Sequence, residues 1–105
     1  MRRRFDENGQ FFDTHGDYPD AVRKVAQELN VPLLDMHIKT EKMIVDHGVE
    51  KSKKIFLFIE PGVYKSRPNE VEDNTHFSGY GATTVAGLAV ECLREIDHPL
   101  VKMLK

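Results

Sequence analysis

Three of the places where histidine and acid fall close together in this 105-residue sequence have spacings that each suit a different chemistry. Asp13-Thr14-His15-Gly16-Asp17 could offer oxygen and nitrogen ligands to a metal from one loop. Three residues do not fix a coordination shell, and an Asp cap with a polar turn ahead of a helix explains them more simply. Asp46-His47-Gly48 falls where a helix is predicted to end, so a histidine cation there meets the negative end of the helix dipole. Asp73-Asn74-Thr75-His76 is of another kind. An Asp three residues before a His can fold back so that its carboxylate accepts the Nδ1 proton of the ring. That bond selects the tautomer whose Nε2 can take a proton from a nucleophile, and it stabilises the imidazolium that forms. Asp73 and His76 would then be the orienter and the base of a hydrolytic triad. The bare D-x-x-H spacing arises often by chance, and taken alone an ordinary turn accounts for it better.

The elements that must position these residues can be read from hydrophobic period. Residues 1 to 19 are polar and turn-rich, yet they carry Phe5, Phe11 and Phe12, which need a surface to pack on. Asp17 is placed to accept from first-turn amides and Pro19 to open a helix, and Val22, Val25, Ala26 and Leu29 then share one helical face. The spacing predicts a helix over 19–30, stopped at Asn30. Val31-Pro32-Leu33-Leu34-Asp35 is an unbroken apolar run of the kind found in parallel strands covered on both faces. Helical period returns through Thr40, Met43, Ile44 and His47, and Gly48 is suited to end that helix, 36–48, in a left-handed conformation. Residues 50–59 are ambiguous, because Ile55, Leu57 and Ile59 alternate with Phe56 and Phe58; a short helix is expected for the first part. Residues 60–75, with two prolines and a glycine, read as one long connection. Val85, Leu88, Ala89, Cys92, Leu93 and Ile96 then mark an amphipathic helix from 79 or 80 to 97, with Ser78 as its cap and a further turn at 99–105.

Composition narrows the classes of function. Fifteen Lys and Arg against 17 Asp and Glu leave a formal charge of −2, and the one basic run, Arg2 to Arg4, is short, so neither nucleic acid nor an anionic membrane is an expected partner. The single cysteine, Cys92, excludes an internal disulfide and a cysteine-built zinc site, and its place on an apolar stripe marks it as a buried small hydrophobe. No apolar stretch approaches a membrane span, and the N-terminus lacks the apolar region of a signal peptide. No cofactor and no bound metal are expected. Length alone leaves open whether the chain is a small whole domain or part of a larger one.

Longer segments carry a resemblance. Asp73-Asn74-Thr75-His76-Phe77-Ser78 with Tyr80-Gly81-Ala82 closely resembles the last conserved block of the SGNH (GDSL-type) hydrolases. Arg4-Phe5-Asp6 with Gly9, His15-Gly16-Asp17-Tyr18-Pro19, Val31-Pro32-Leu33-Leu34-Asp35 and Lys53-Lys54-Ile55-Phe56 resemble the rhamnogalacturonan acetylesterase branch. The resemblance implies an esterase that removes acetyl groups from pectic polysaccharide, secreted or periplasmic when intact, with His76 as general base and Asp73 as its orienter. It also implies an α/β fold, a flavodoxin-like three-layer α/β/α sandwich on a five-stranded parallel sheet. The chain departs from that pattern in offering no Gly-Asp-Ser nucleophile block and no Gly-x-Asn-Asp oxyanion block. Its serines, Ser52, Ser66 and Ser78, lie in other contexts. A serine without an adjacent base and preorganised oxyanion donors is a poor nucleophile.

The sequence therefore reads as a single partial domain, 1–105, the C-terminal portion of an SGNH hydrolase. It is expected to be mostly helical with about one parallel edge strand at 31–35, inactive alone, and prone to self-association through uncovered apolar faces. Its substrate in the intact enzyme would be an acetylated polysaccharide or a small ester. Two other readings stay open: a non-catalytic oligomeric or partner-binding module derived from that fold, and a metal-binding protein using His15, Asp17 and His76.

Overall fold

A computed structural model describes all 105 residues. Three helices dominate: α1 (Tyr18–Glu28), α2 (Met36–Lys51) and α3 (Gly79–Glu95). Their ends follow local rules. At the end of α1 Asn30 takes φ 51°, and the amides of Asn30 and Val31 bond the carbonyls of Gln27 and Ala26. Asp97, at φ 50°, closes α3 in the same way through the amides of Asp97 and His98. Both residues are of the few non-glycine types that tolerate the left-handed region, and each closure satisfies two carbonyls a helix end would leave bare. Gly48 does not simply end α2. At φ 70° and ψ −179° it sits in a region open almost only to glycine, kinking the helix, which resumes to Lys51 and tightens into a 3₁₀ turn, Ser52–Ile55. Asp17 departs from expectation too: its side chain makes no capping bond, because at φ −83° and ψ −5° it is already helical, whereas a capping side chain needs extended backbone.

The sheet is not the expected one. Residues 31–35 form no strand; instead Phe56–Ile59 (β1) pairs antiparallel with Val71–Phe77 (β2). A parallel strand is stable only beside a neighbour on the sheet, and here the apolar run has none. Its backbone is used locally: the Val31 amide closes α1, Met36 N–H bonds Leu34 carbonyl, and the Asp35 carboxylate takes Arg23 Nε at 2.7 Å. The alternation of Ile55 to Ile59 resolves as 3₁₀ turn then strand, and the long connection expected over 60–75 is shorter, since pairing resumes at Val71.

The core is small. Met43 and Ile44 of α2, Ile55, and Phe56 of β1 form its buried centre, with Met1, Phe5, Phe11, Phe58, Val85 and Leu88 packed around it. Phe5 and Phe11 meet edge to face at 5.9 Å, so the N-terminal phenylalanines do find a surface, although Phe12 stays exposed. Arg3 fastens this segment. Its guanidinium bonds Ser52 Oγ, Asn74 Oδ1 and the Val49 carbonyl, it lies over the rings of Phe5 and Phe58, and its amide bonds the Asn74 carbonyl. Helix α1 contributes nothing to the core: Val22, Val25 and Leu29, its apolar face, are 56%, 51% and 68% exposed. The radius of gyration, 16.3 Å, exceeds the about 13 Å of a compact domain of this length, as a helix held off the body requires.

Candidate active site

The register of β1 on β2 builds the first candidate site. Leu57 pairs with Asp73, but the next residue of β1, Phe56, pairs with Phe77, so 74–76 have no partner and bulge from the ladder. Bulges of this kind re-aim a side chain, and here the one re-aimed is His76. The bulge is stitched from within. Asp73 Oδ1 accepts the amides of Thr75 at 2.7 Å and His76 at 2.9 Å, and Oδ2 lies 2.7 Å from His76 Nδ1. From outside, Asn74 is held by Arg3 through both its side chain and its carbonyl. The Asp73 carboxylate is thereby held against Nδ1 of the ring, while the His76 side chain is 77% exposed and its Nε2 has no hydrogen-bond partner. Sequence reasoning brought these two residues together, and the structure does so as well.

Electrostatics follow from the same bonds. Two backbone amides, that of His76 foremost, and the His76 ring hold the Asp73 carboxyl down to about 2, from an ordinary 3.8. Because the folded value lies below the unfolded one, the clamp contributes stability above pH 4 that is lost as pH falls from about 4 toward 2. Carbon-detected NMR of the Asp73 carboxyl, followed with the Thr75 and His76 amides, is expected to show a single titration near 2; a midpoint near 3.8 would mean that the clamp does not form.

No serine stands at His76. Ser52 is buried and takes Arg3 Nε while donating to the Val49 carbonyl. Ser66 lies exposed in the loop between the strands. Ser78 caps α3 as expected, its Oγ accepting the Gly81 amide at 3.0 Å and donating to the Lys54 and Ile55 carbonyls. A hydroxyl so engaged is a structural group. Ser78→Ala is expected to destabilise the fold by about 1 kcal/mol in urea unfolding, the usual value of a lost cap, and an unchanged midpoint would remove the capping role.

The other two clusters resolve differently. His47 Nδ1 lies 2.7 Å from the Met43 carbonyl and its ring meets Tyr80 edge-on, so it closes a helix turn and joins α2 to α3. Asp13, not Asp17, organises the turn before α1, accepting the amides of His15 and Gly16. The trio the structure gathers is Asp13, His15 and His37, with ligand atoms within 4.8 Å of one another, rather than His15, Asp17 and His76. His37 was not singled out from sequence, because it is 22 residues from His15 and only the turn after α1 brings it back. Cys92 is buried, 3.9 Å from Met36 Sδ, and burial pushes its thiol above the ordinary value, as for an inert core cysteine. No helix is long and apolar enough to cross a membrane.

Comparison with known proteins bears on the same residues. No protein-family model matches the chain, and no solved structure does. It is 46% identical over 100 residues to rhamnogalacturonan acetylesterase RhgT of Bacillus subtilis (strain 168), an alignment covering 95% of this chain. It is 31% identical over 98 residues, 93% of this chain, to a protein of that organism named "Probable rhamnogalacturonan acetylesterase YesY". The chain spans 43% and 41% of the lengths of those relatives. Along nearly all of its length, therefore, this chain is homologous to the rhamnogalacturonan acetylesterases, the group its motifs resemble.

Proposed function

We propose that the chain is the C-terminal, base-bearing part of an SGNH-type carbohydrate acetylesterase, a single partial domain over 1–105, acting on acetylated pectic polysaccharide. The observation that carries the reading is the 2.7 Å contact of His76 Nδ1 with an Asp73 carboxylate already locked by two amides. A serine from outside these 105 residues would stand at His76 Nε2. As it attacks the acetyl carbonyl, Nε2 takes the hydroxyl proton, and Asp73 stabilises the imidazolium without accepting the proton itself. His76 then returns the proton to the departing sugar oxygen, leaving an acetyl-serine. A water molecule, deprotonated by His76, attacks that ester and releases acetate, and the serine regains its proton.

The exposed apolar face of α1 supports the same reading, since Val22, Val25 and Leu29 would be covered by a sheet of the three-layer fold. The test is acetate release from acetylated rhamnogalacturonan. The isolated chain is expected to show no turnover, and co-expression with a family segment bearing the Gly-Asp-Ser block is expected to restore it. Turnover by the 105 residues alone, abolished by His76→Ala, would overturn the assignment of the nucleophile to another segment. The same bare face favours one second reading, a self-associating, non-catalytic module. It expects a defined oligomer in light scattering that Val25→Lys dissociates, together with no esterase activity in any combination.

A further inference from the structure

We propose that Asp13, His15 and His37 form a binding site for a divalent transition-metal ion of the zinc type, separate from the Asp73–His76 pair and independent of the esterase reading. The three residues come from two elements, the turn ahead of α1 and the first turn of α2. Asp13 Oδ1 lies 3.7 Å from His15 Nδ1 and 3.6 Å from His37 Nε2. These separations are longer than a well-formed N–H···O hydrogen bond, so the carboxylate meets the two rings only at ion-pair distance. They are a few tenths of an ångström longer than the about 3.3–3.5 Å that four-coordinate zinc, with bonds of about 2.0–2.1 Å to nitrogen and oxygen, sets between its ligands, and all three ligand atoms lie within 4.8 Å of one another, so a small closing movement would let them share an ion.

The state of each ligand supports the assignment. His37 Nε2 is inaccessible to solvent and has no hydrogen-bond partner, a condition that buried ring nitrogens rarely keep unless something is missing from beside them. Besides the 3.7 Å approach of Asp13, His15 Nδ1 has a 3.4 Å contact with Thr14 Oγ1 and no shorter bond. Asp13 is pre-oriented, because the amides of His15 and Gly16 hold one of its oxygens each. Carboxylate ligands in metal sites are commonly held by outer bonds of this sort. Two imidazoles and one carboxylate are a donor set for zinc and its neighbours rather than for calcium or magnesium, which prefer all-oxygen shells. With three protein ligands a fourth position stays open, and His15 and His37 both border a largely apolar groove of about 420 Å3 that Tyr18, Met36 and Phe77 also line.

The test uses the full 105-residue chain, stripped with chelator and titrated with zinc by calorimetry and with cobalt(II) by absorption. One ion per chain is expected, with a micromolar or tighter dissociation constant and the cobalt spectrum of a four-coordinate nitrogen and oxygen site. His15→Ala, on a half-exposed loop where folding is not at stake, is expected to weaken binding at least about tenfold, as is His37→Ala, whereas His47→Ala leaves it unchanged. X-ray absorption on the zinc-loaded parent chain provides a readout that needs no variant, and two imidazole shells are expected. Absence of saturable binding below about 100 μM, or equal affinity in parent and His15→Ala, would overturn the proposal. Loss of binding with His76→Ala but not His37→Ala would also overturn it, by moving the ion to another set of residues.

Discussion

Asp73→Asn, in an esterase reconstituted from this chain and a serine-bearing partner segment, is expected to lower kcat about 10⁴-fold, the order seen when a triad aspartate loses its charge. The geometry says why an isosteric change should do so much. Asp73 Oδ1 already serves the amides of Thr75 and His76, so in the Asn variant the side-chain oxygen keeps those bonds and the NH2 group is left facing His76 Nδ1. A donor there makes Nδ1 the acceptor and moves the ring proton to Nε2, the atom that must be free to take the serine proton. The bulge should survive while the tautomer is reversed. Two measurements separate these effects: kcat on acetylated rhamnogalacturonan, and nitrogen chemical shifts of the His76 ring in the isolated chain, where the Nε2–H form is expected to replace the Nδ1–H form. An Asp73→Asn variant within tenfold of the parent kcat would remove Asp73 from the triad, and an unchanged ring spectrum would show that the orienting bond is not what sets the tautomer.

Gly81→Ala is expected to destabilise the fold by about 3 kcal/mol or more, enough to unfold much of so small a core. A Cβ at Gly81 would lie 1.9 Å from the Ile55 carbonyl oxygen and 2.7 Å from its carbon, and the obstacle is backbone that no rotamer can move. The close approach is the joint between α3 and the 3₁₀ turn. There the Ser78 amide also bonds the Ile55 carbonyl, and β2, with His76 near its end, runs directly into α3. Gly87 is the internal control. It lies in the same helix with nothing within 4 Å of a built Cβ, so Gly87→Ala is expected to stabilise by about 0.5–1 kcal/mol through helix propensity alone. Urea unfolding of the two variants beside the parent checks both signs, and a Gly81→Ala midpoint no lower than the parent's would mean that α3 does not dock on Ile55 as described.

The contrast between those glycines shows where the sequence was informative. Both are glycines in one helix, and nothing in the neighbouring residues distinguishes them; only Ile55, 26 positions away, does. The same division runs through the candidate sites. Ser78 as a cap, Asn30 as a stop and Asp73 paired with His76 are all relations within about four residues, and they were legible because a turn or helix end brings such neighbours together whatever surrounds it. Phe56 to Ile59 as a strand, and the bulge that lifts His76 off the ladder, depend on pairing with a segment some fifteen residues on, so the local pattern stayed ambiguous. The apolar run 31–35 carried the composition of a parallel strand, but a strand is defined by its neighbour and none is present.

By itself, then, the sequence determined the three helices, the Asn30 stop, the Ser78 cap and the Asp73–His76 couple, since these rest on hydrogen bonds that close over three to five residues. The tertiary structure alone decided that His76 faces solvent from a bulge held by Arg3, that His37 returns to Asp13 and His15, and that the apolar face of α1 is left bare. Those relations join residues from about twenty to seventy positions apart, and the free energy that brings them together comes from packing and pairing across the whole fold.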